Sequence, residues 1–202
     1  MQREPVTGPC LLLHGWGFDA SVMEPLKRVL EQDRSALACD IPGITAAGQT
    51  ANELQSIAME LANCPVSAGT LIGWSLGGNI AIRMAAQLSG RISALVLICC
   101  NPSFVLRPHW PCALDQGSIV GLRSVLAEDQ NRAAVEFAGW CALGERSVRK
   151  VRRTLSDSMA TARTDRSSLD RGLRLLQQLD QRMMLADLDC PVLMLFAEKD
   201  RS

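Results

Sequence analysis

The chain has 202 residues, 48% of them hydrophobic, so we expect one sizeable domain with a real core and exclude a disordered chain. Its 21 basic and 21 acidic residues balance, so the net charge gives no indication of a nucleic-acid or membrane partner. Eight cysteines without a C-x-x-C pair, together with only two histidines, argue against a zinc site, and we expect neither a metal nor a cofactor.

The sequence also bears on the compartment in which the protein works. The N-terminal stretch MQREPVTGPC lacks the apolar region of a secretory signal, and the longest apolar run, ALVLICC, is too short to span a bilayer. Cysteines within apolar runs behave as small hydrophobic residues, which fits a reducing compartment. We therefore expect a cytoplasmic protein, and a monomer.

Strand and helix patterns alternate from the first residues onward. PCLLLH (9–14) is a short apolar run before a glycine and predicts a buried strand. Residues 21–32 have apolar side chains at helical spacing, with Ser21 as the expected cap. Residues 35–43 predict a strand that is closed by Pro-Gly, and residues 51–63 predict an amphipathic helix.

The alternation of strands and helices continues from residue 69 onward. Residues 69–74 predict a strand, 76–90 a helix that ends at a glycine cap, and 93–100 and 190–196 two further strands. Because the apolar residues of these strands are continuous, both faces of the sheet must be covered, which indicates parallel strands joined by helices. The right-handed crossover rule leaves few spatial orders open for such strands.

The strand pattern breaks in the middle of the chain, where a long insertion is helix-rich. We therefore predict an α/β fold in which residues 1–100 form the first part of the core, 101–185 form a helical cap, and 186–202 return to the sheet.

The stretch GWSLGG lies between a predicted strand and a predicted helix. A serine at such a sharp turn takes a strained backbone conformation that exposes its hydroxyl, and Gly73 and Gly77 fit because neighbouring positions crowd there. Ser75 is thus the candidate nucleophile, and the Leu76 N–H at the helix start can face a developing oxyanion. The alternative is a Gly-rich turn with a capping serine.

The loop in LLLHGWGFDAS (11–21) is the expected partner of this turn. In the strand–serine–helix architecture a second oxyanion N–H comes from such a loop, and we assign it to Trp16. The indole of Trp16 is either a core aromatic or a pocket wall, and both are compatible with a role for its backbone.

The segments LLLHGWGFDASVMEPL, CDIPG, LIGWSLGGNIA and CPVLMLFAEKD together resemble the α/β-hydrolase family, and within it the esterases that demethylate carrier-bound acyl chains. The resemblance implies a Ser–His–Asp triad, an ester substrate and a helical cap that receives an acyl chain. Together with the crossover rule it also implies the spatial strand order second, first, third, fourth, fifth. It assigns Ser75 as nucleophile, Trp16 and Leu76 as oxyanion donors, Asp200 as the triad acid, and Phe137 with Trp16 as substrate-binding residues.

The resemblance departs from the family at the triad histidine. That residue should follow the acid, but the sequence ends at Ser202 and contains only His14 and His109, neither of which fits the role of base. We therefore expect a C-terminally truncated fold of five strands, with little or no turnover in these 202 residues and an exposed apolar last strand.

Basic residues concentrate in the predicted cap. Between residues 146 and 174 there are nine basic and three acidic residues, a local net charge of +6. A solvated helical face is one explanation. An acidic acyl carrier protein that presents the substrate is the other, and it is implied by the resemblance and by electrostatic steering. The expected carrier patch consists of Arg146, Arg149, Lys150, Arg152 and Arg153.

Two classes of function follow from these residues. The first is a serine carboxylic-ester hydrolase, with a general carboxylesterase or an acyltransferase as variants on the same fold. The second is a catalytically inactive module that binds an acyl chain or its carrier.

Overall fold

The computed structural model describes residues 8–41, 58–59, 69–162 and 164–197. Its centre is a five-stranded sheet in the order β2-β1-β3-β4-β5, with every neighbouring pair parallel. The predicted strand positions and their order are confirmed. The strands are β1 Cys10–Leu13, β2 Ala36–Cys39, β3 Thr70–Trp74, β4 Ala94–Ile98 and β5 Val192–Leu195.

Helices follow β1 and β3 and occupy most of the described residues between β4 and β5. In the described residues of that interval there is no strand, only isolated bridges, as the helical insertion predicts. The helices are α1 Glu24–Leu30, α2 Leu76–Gln87, α3 Gln116–Glu128, α4 Gln130–Cys141, α5 Val148–Thr161, α6 Arg166–Gln178 and α7 Arg182–Ala186, and a 3₁₀ turn at Ala20–Met23 precedes α1. The helix predicted at 51–63 lies outside the described residues except at 58–59, which are helical.

Two predicted helix ends are wrong in detail. Asp19, not Ser21, is the first cap: its carboxylate accepts from the Ser21 N–H at 3.0 Å, since a carboxylate here reaches the free amide of the first turn. Helix α2 ends at Gln87 with Leu88 as its cap residue, and Gly90, with φ +73°, turns the chain two residues later.

Side chains of β1 divide between the two faces of the sheet. Leu11 and Leu13 belong to a large apolar cluster, whereas Cys10 and Leu12 belong to a smaller one on the opposite side. Both faces are therefore covered, as the continuous apolar strands predict. The large cluster also includes Leu122 of α3 and other cap residues, so the cap core is continuous with the core of the sheet.

The edge strand β5 differs from the buried strands. Leu193 is 53% exposed and Phe196, just after the strand, is also 53% exposed.

None of the helices among the described residues is both long enough and apolar enough to cross a membrane.

Candidate active site

Ser75 occupies the turn between β3 and α2 in a conformation that few serines adopt. Its φ is 52° and its ψ −120°, and a positive φ is costly for a residue with a side chain. Hydrogen bonds hold the turn: the Ser75 N–H donates to the Ile98 carbonyl at 3.0 Å, and the Ser75 carbonyl accepts from Gly78 at 2.8 Å. Ser75 is only half-buried, and it lines a cavity.

The glycines around Ser75 allow backbone segments to approach closely. A Cβ at Gly73 would lie 2.5 Å from the Gly77 carbonyl oxygen, so the predicted crowding of these positions is present. A Cβ at Gly77 would lie 2.5 Å from the carbonyl oxygen of His14, in the loop after β1. That second contact was not predicted, and it brings the loop after β1 against the start of α2.

His14 fixes the loop after β1 and has no free ring nitrogen. Its Nδ1–H donates to the Gly15 carbonyl at 2.9 Å, and its Nε2 accepts from the Ile41 N–H at 3.0 Å. Burial lowers the pKa of His14, so the ring is neutral and in a single tautomer. The imidazole therefore joins the loops after β1 and β2, and it is not available as a base.

The two predicted oxyanion donors, the Leu76 and Trp16 N–H groups, belong to the two segments that pack next to Ser75. Leu76 is the first residue of α2, so its N–H has no acceptor within the helix and the helix dipole favours an anion there. Gly15 packs on the other side, where a Cβ would be 3.4 Å from the Ser75 Cβ, and the Trp16 amide follows directly. Convergence of the Leu76 and Trp16 N–H groups on one point stays a prediction.

A cavity of about 340 Å³ opens in front of Ser75, within the size range of small-molecule sites. Its wall is mainly aromatic and aliphatic, which suits an alkyl chain better than a charged group. The residues that line it are Gly15, Trp16, Phe18, Trp74, Ser75, Cys99, Phe104, Leu114, Ser118, Phe137, Trp140, Cys141, Leu143, Glu145, Leu155 and Ala197.

The structure brings the predicted substrate-binding residues together. Trp16 and Phe137 are buried, both line the cavity, and their rings meet edge to face with centroids 4.7 Å apart. Trp16 is thus at once a core aromatic and a pocket wall.

Sequence reasoning missed several cavity residues. Trp74 has a recognisable signal, because it directly precedes Ser75 at the end of β3. Cys99, which directly follows β4 and has φ 43°, has no such signal, and neither has Trp140 of α4. Their places in the cavity depend on the strand order and on how the cap packs.

Other predicted residues lie elsewhere. Asp200 is outside the described residues, so its place relative to Ser75 stays a prediction. His109 is exposed in a turn and is not among the residues that line the cavity. The five residues of the carrier patch are all exposed, at the start of α5 or just before it. No cluster of His, Cys, Asp and Glu in the described part of the chain could hold a metal ion.

The comparison of sequences and the comparison of structures both match this chain to hydrolases. The model of the alpha/beta hydrolase family matches residues 10–202. The chain is 31% identical over 192 residues to pimeloyl-[acyl-carrier protein] methyl ester esterases of Salmonella heidelberg and Salmonella agona, covering 94% of this chain and 75% of each relative.

Solved structures with the same fold are more distant in sequence. A hydrolase from Oleispira antarctica superimposes with a TM-score of 0.81 at 22% identity, covering 96% of this chain and 76% of that one. An esterase from Exiguobacterium antarcticum gives a TM-score of 0.77 at 19% identity, with 94% and 74% covered.

Proposed function

The chain belongs to the alpha/beta hydrolase family and is a carboxylic ester hydrolase, and we propose that Ser75 is its nucleophile. The observation that carries this proposal is the positive-φ serine at a strand-to-helix turn, which is half-buried and lines an apolar cavity. A capping serine in an ordinary turn needs neither the strained φ nor a cavity in front of its hydroxyl.

Ser75 Oγ attacks the ester carbonyl carbon while a base removes its proton. The carbonyl oxygen becomes an oxyanion that accepts hydrogen bonds from the Leu76 and Trp16 N–H groups. The tetrahedral intermediate collapses and expels the alcohol, which takes up the proton, and water then releases the acid from the acyl-enzyme. Asp200 is the proposed acid that orients the base, and since both ring nitrogens of His14 are engaged, His14 is not that base.

The substrate we propose is the methyl ester of a pimeloyl chain on an acyl carrier protein, as in the related esterases of biotin synthesis. The apolar cavity between Ser75 and the cap suits the methylene chain, with Trp16 and Phe137 forming part of its wall.

The position of the carrier patch supports this substrate. Arg149, Lys150, Arg152 and Arg153 are exposed on α5, and Leu155 of the same helix lines the cavity. A basic surface on a helix that also borders the cavity would hold an acidic carrier where its acyl arm can enter.

The nucleophile is tested by hydrolysis of p-nitrophenyl butyrate by the full-length protein. Ser75→Ala should reduce turnover to the rate of the uncatalysed reaction, whereas His109→Ala, an exposed residue outside the cavity, should leave it unchanged. Full activity in Ser75→Ala would refute the assignment. A wild-type protein that binds acyl carrier but hydrolyses no ester would instead be the inactive binding module.

The carrier patch is tested by neutralising Arg149, Lys150, Arg152 and Arg153 together. kcat/KM for a carrier-linked methyl ester should fall and lose its salt dependence, while hydrolysis of p-nitrophenyl butyrate changes little. An equal loss on both substrates would show that the patch supports the fold and does not bind a carrier.

A further inference from the structure

We infer that helix α6 of the cap, through the Leu169 carbonyl and the Cβ-free surface of Gly172, positions the Trp16 backbone N–H beside Ser75. These two residues are then positioning residues for ester hydrolysis, although neither lines the main cavity. The inference rests on the proposed function, because it concerns the oxyanion donors of that reaction.

The indole of Trp16 is anchored in the cap. Its Nε1–H donates to the Leu169 carbonyl at 2.8 Å in a buried hydrogen bond that joins residues 153 positions apart. A Cβ at Gly172 would lie 2.6 Å from the indole Cδ1, so the ring lies directly on the helix backbone. The Phe137 ring of α4 packs on it edge to face. Trp16 is only 2% exposed, so these contacts leave its ring little freedom.

A third cap helix contacts the next residue of the loop. Gly17 has φ +79°, and a Cβ there would overlap the methyl group of Met159 in α5. On the other side of Trp16, Gly15 packs against Ser75. The Trp16 peptide is therefore held between the serine turn and the cap, and the position of its N–H depends on both.

Such positioning matters because an oxyanion donor acts only at about 2.7–3.1 Å from the developing charge. A shift of the loop by a fraction of an ångström lowers transition-state stabilisation for every ester, whereas the change in the Trp16 part of the cavity wall affects mainly a long acyl chain. The expected signature is thus a fall in kcat at nearly constant KM for a short ester.

Gly172→Ala tests the inference because the new methyl group pushes the indole away. A separate space of about 30 Å³ is lined by Trp16, Gly17, Met159 and Leu169, among others, but not by Gly172, and we expect the ring to shift toward it. The matched control is Gly121→Ala in α3, where a Cβ meets nothing within 4 Å. Both changes replace a helical glycine by alanine and gain the same helix propensity.

The assay compares the hydrolysis of p-nitrophenyl acetate and of p-nitrophenyl octanoate by the full-length protein. Gly172→Ala should lower kcat about ten- to a hundredfold on both esters, with KM for the acetate within about twofold, while Gly121→Ala matches the wild type. A loss confined to octanoate would mean that Gly172 shapes the acyl cavity, and would overturn the inference. So would a folded Gly172→Ala variant with wild-type kcat.

Trp16→Phe tests the positioning role of α6 if Gly172→Ala does not fold. Phenylalanine retains an aromatic ring beside Phe137 and the backbone N–H, but it cannot donate to the Leu169 carbonyl. We expect the same loss of kcat on both esters, and an unchanged kcat would refute the inference. Ser75→Ala in the same assay separates the two proposals. If Ser75→Ala retains activity, the proposed function fails. If Ser75→Ala is inactive while Gly172→Ala and Trp16→Phe keep the wild-type kcat, only the positioning role fails.

Discussion

Replacing Gln181 by methionine should destabilise the protein, because Gln181 joins the cap to the helix that begins after Ser75. Gln181 is 1% exposed and Asn79 of α2 is 2% exposed. The Gln181 Nε2 donates to the Asn79 carbonyl at 3.0 Å, and the Asn79 Nδ2 donates to the Gln181 Oε1 at 3.0 Å. Methionine has nearly the same length but can make neither bond.

The magnitude follows from those two bonds. Each buried hydrogen bond contributes about 1 kcal/mol net, and the Asn79 amide hydrogen that loses its acceptor costs about 1–3 kcal/mol more. The second hydrogen bond of the Asn79 Nδ2, to the Asn101 carbonyl at 3.0 Å, remains. The free energy of unfolding should therefore fall by about 3–5 kcal/mol, and the Tm by roughly 6–20 °C for a protein of this size.

Urea unfolding followed by circular dichroism measures the change, with Gln116→Met as the matched control. Gln116 is exposed at the start of α3, so its replacement should change the free energy of unfolding by less than about 0.5 kcal/mol. If Gln181→Met is no less stable than Gln116→Met, the amide pair is not what anchors the cap.

The remaining predictions concern single groups. Gly77→Ala should lower the free energy of unfolding by about 1–3 kcal/mol in urea, despite better helix propensity, because its Cβ meets the backbone of the loop after β1. Burial would raise the pKa of Asp170, but Arg123, at 2.8 Å, and a second arginine hold it below its usual range. Asp170→Asn should thus be less stable than wild type at pH 7, and the difference should vanish as pH falls below about 4. Burial raises the pKa of Cys100 to about 12, so iodoacetamide at pH 8 should modify exposed Cys112 and not Cys100, as read by peptide mass spectrometry; the reverse order would contradict this.

The sheet was predictable because its signals are local. Four- and five-residue apolar runs such as CLLL and TLIGW are buried on both faces, and the crossover rule leaves few orders for such strands. The Ser75 turn was predictable for the same reason: glycines, strand and helix lie within ten residues of one another.

The cap was not predictable at the same level, because its contacts join distant parts of the sequence. Trp16 donates to Leu169 across 153 positions and Asn79 bonds Gln181 across 102. Neither Gly172 nor Gln181 has a local motif around it. Their importance comes from helix packing, since one provides space for an indole and the other completes a buried amide pair.

These two kinds of contact attach the cap to the two segments that flank the serine. Through Gln181 and Asn79 it is attached to α2, which begins at Leu76, and through Leu169 it is attached to the loop that carries Trp16. Moving the cap as a whole would therefore disturb both proposed oxyanion donors. We accordingly expect the cap to stay in place when the substrate binds, since lifting the cap breaks buried hydrogen bonds that water cannot replace until the site is open.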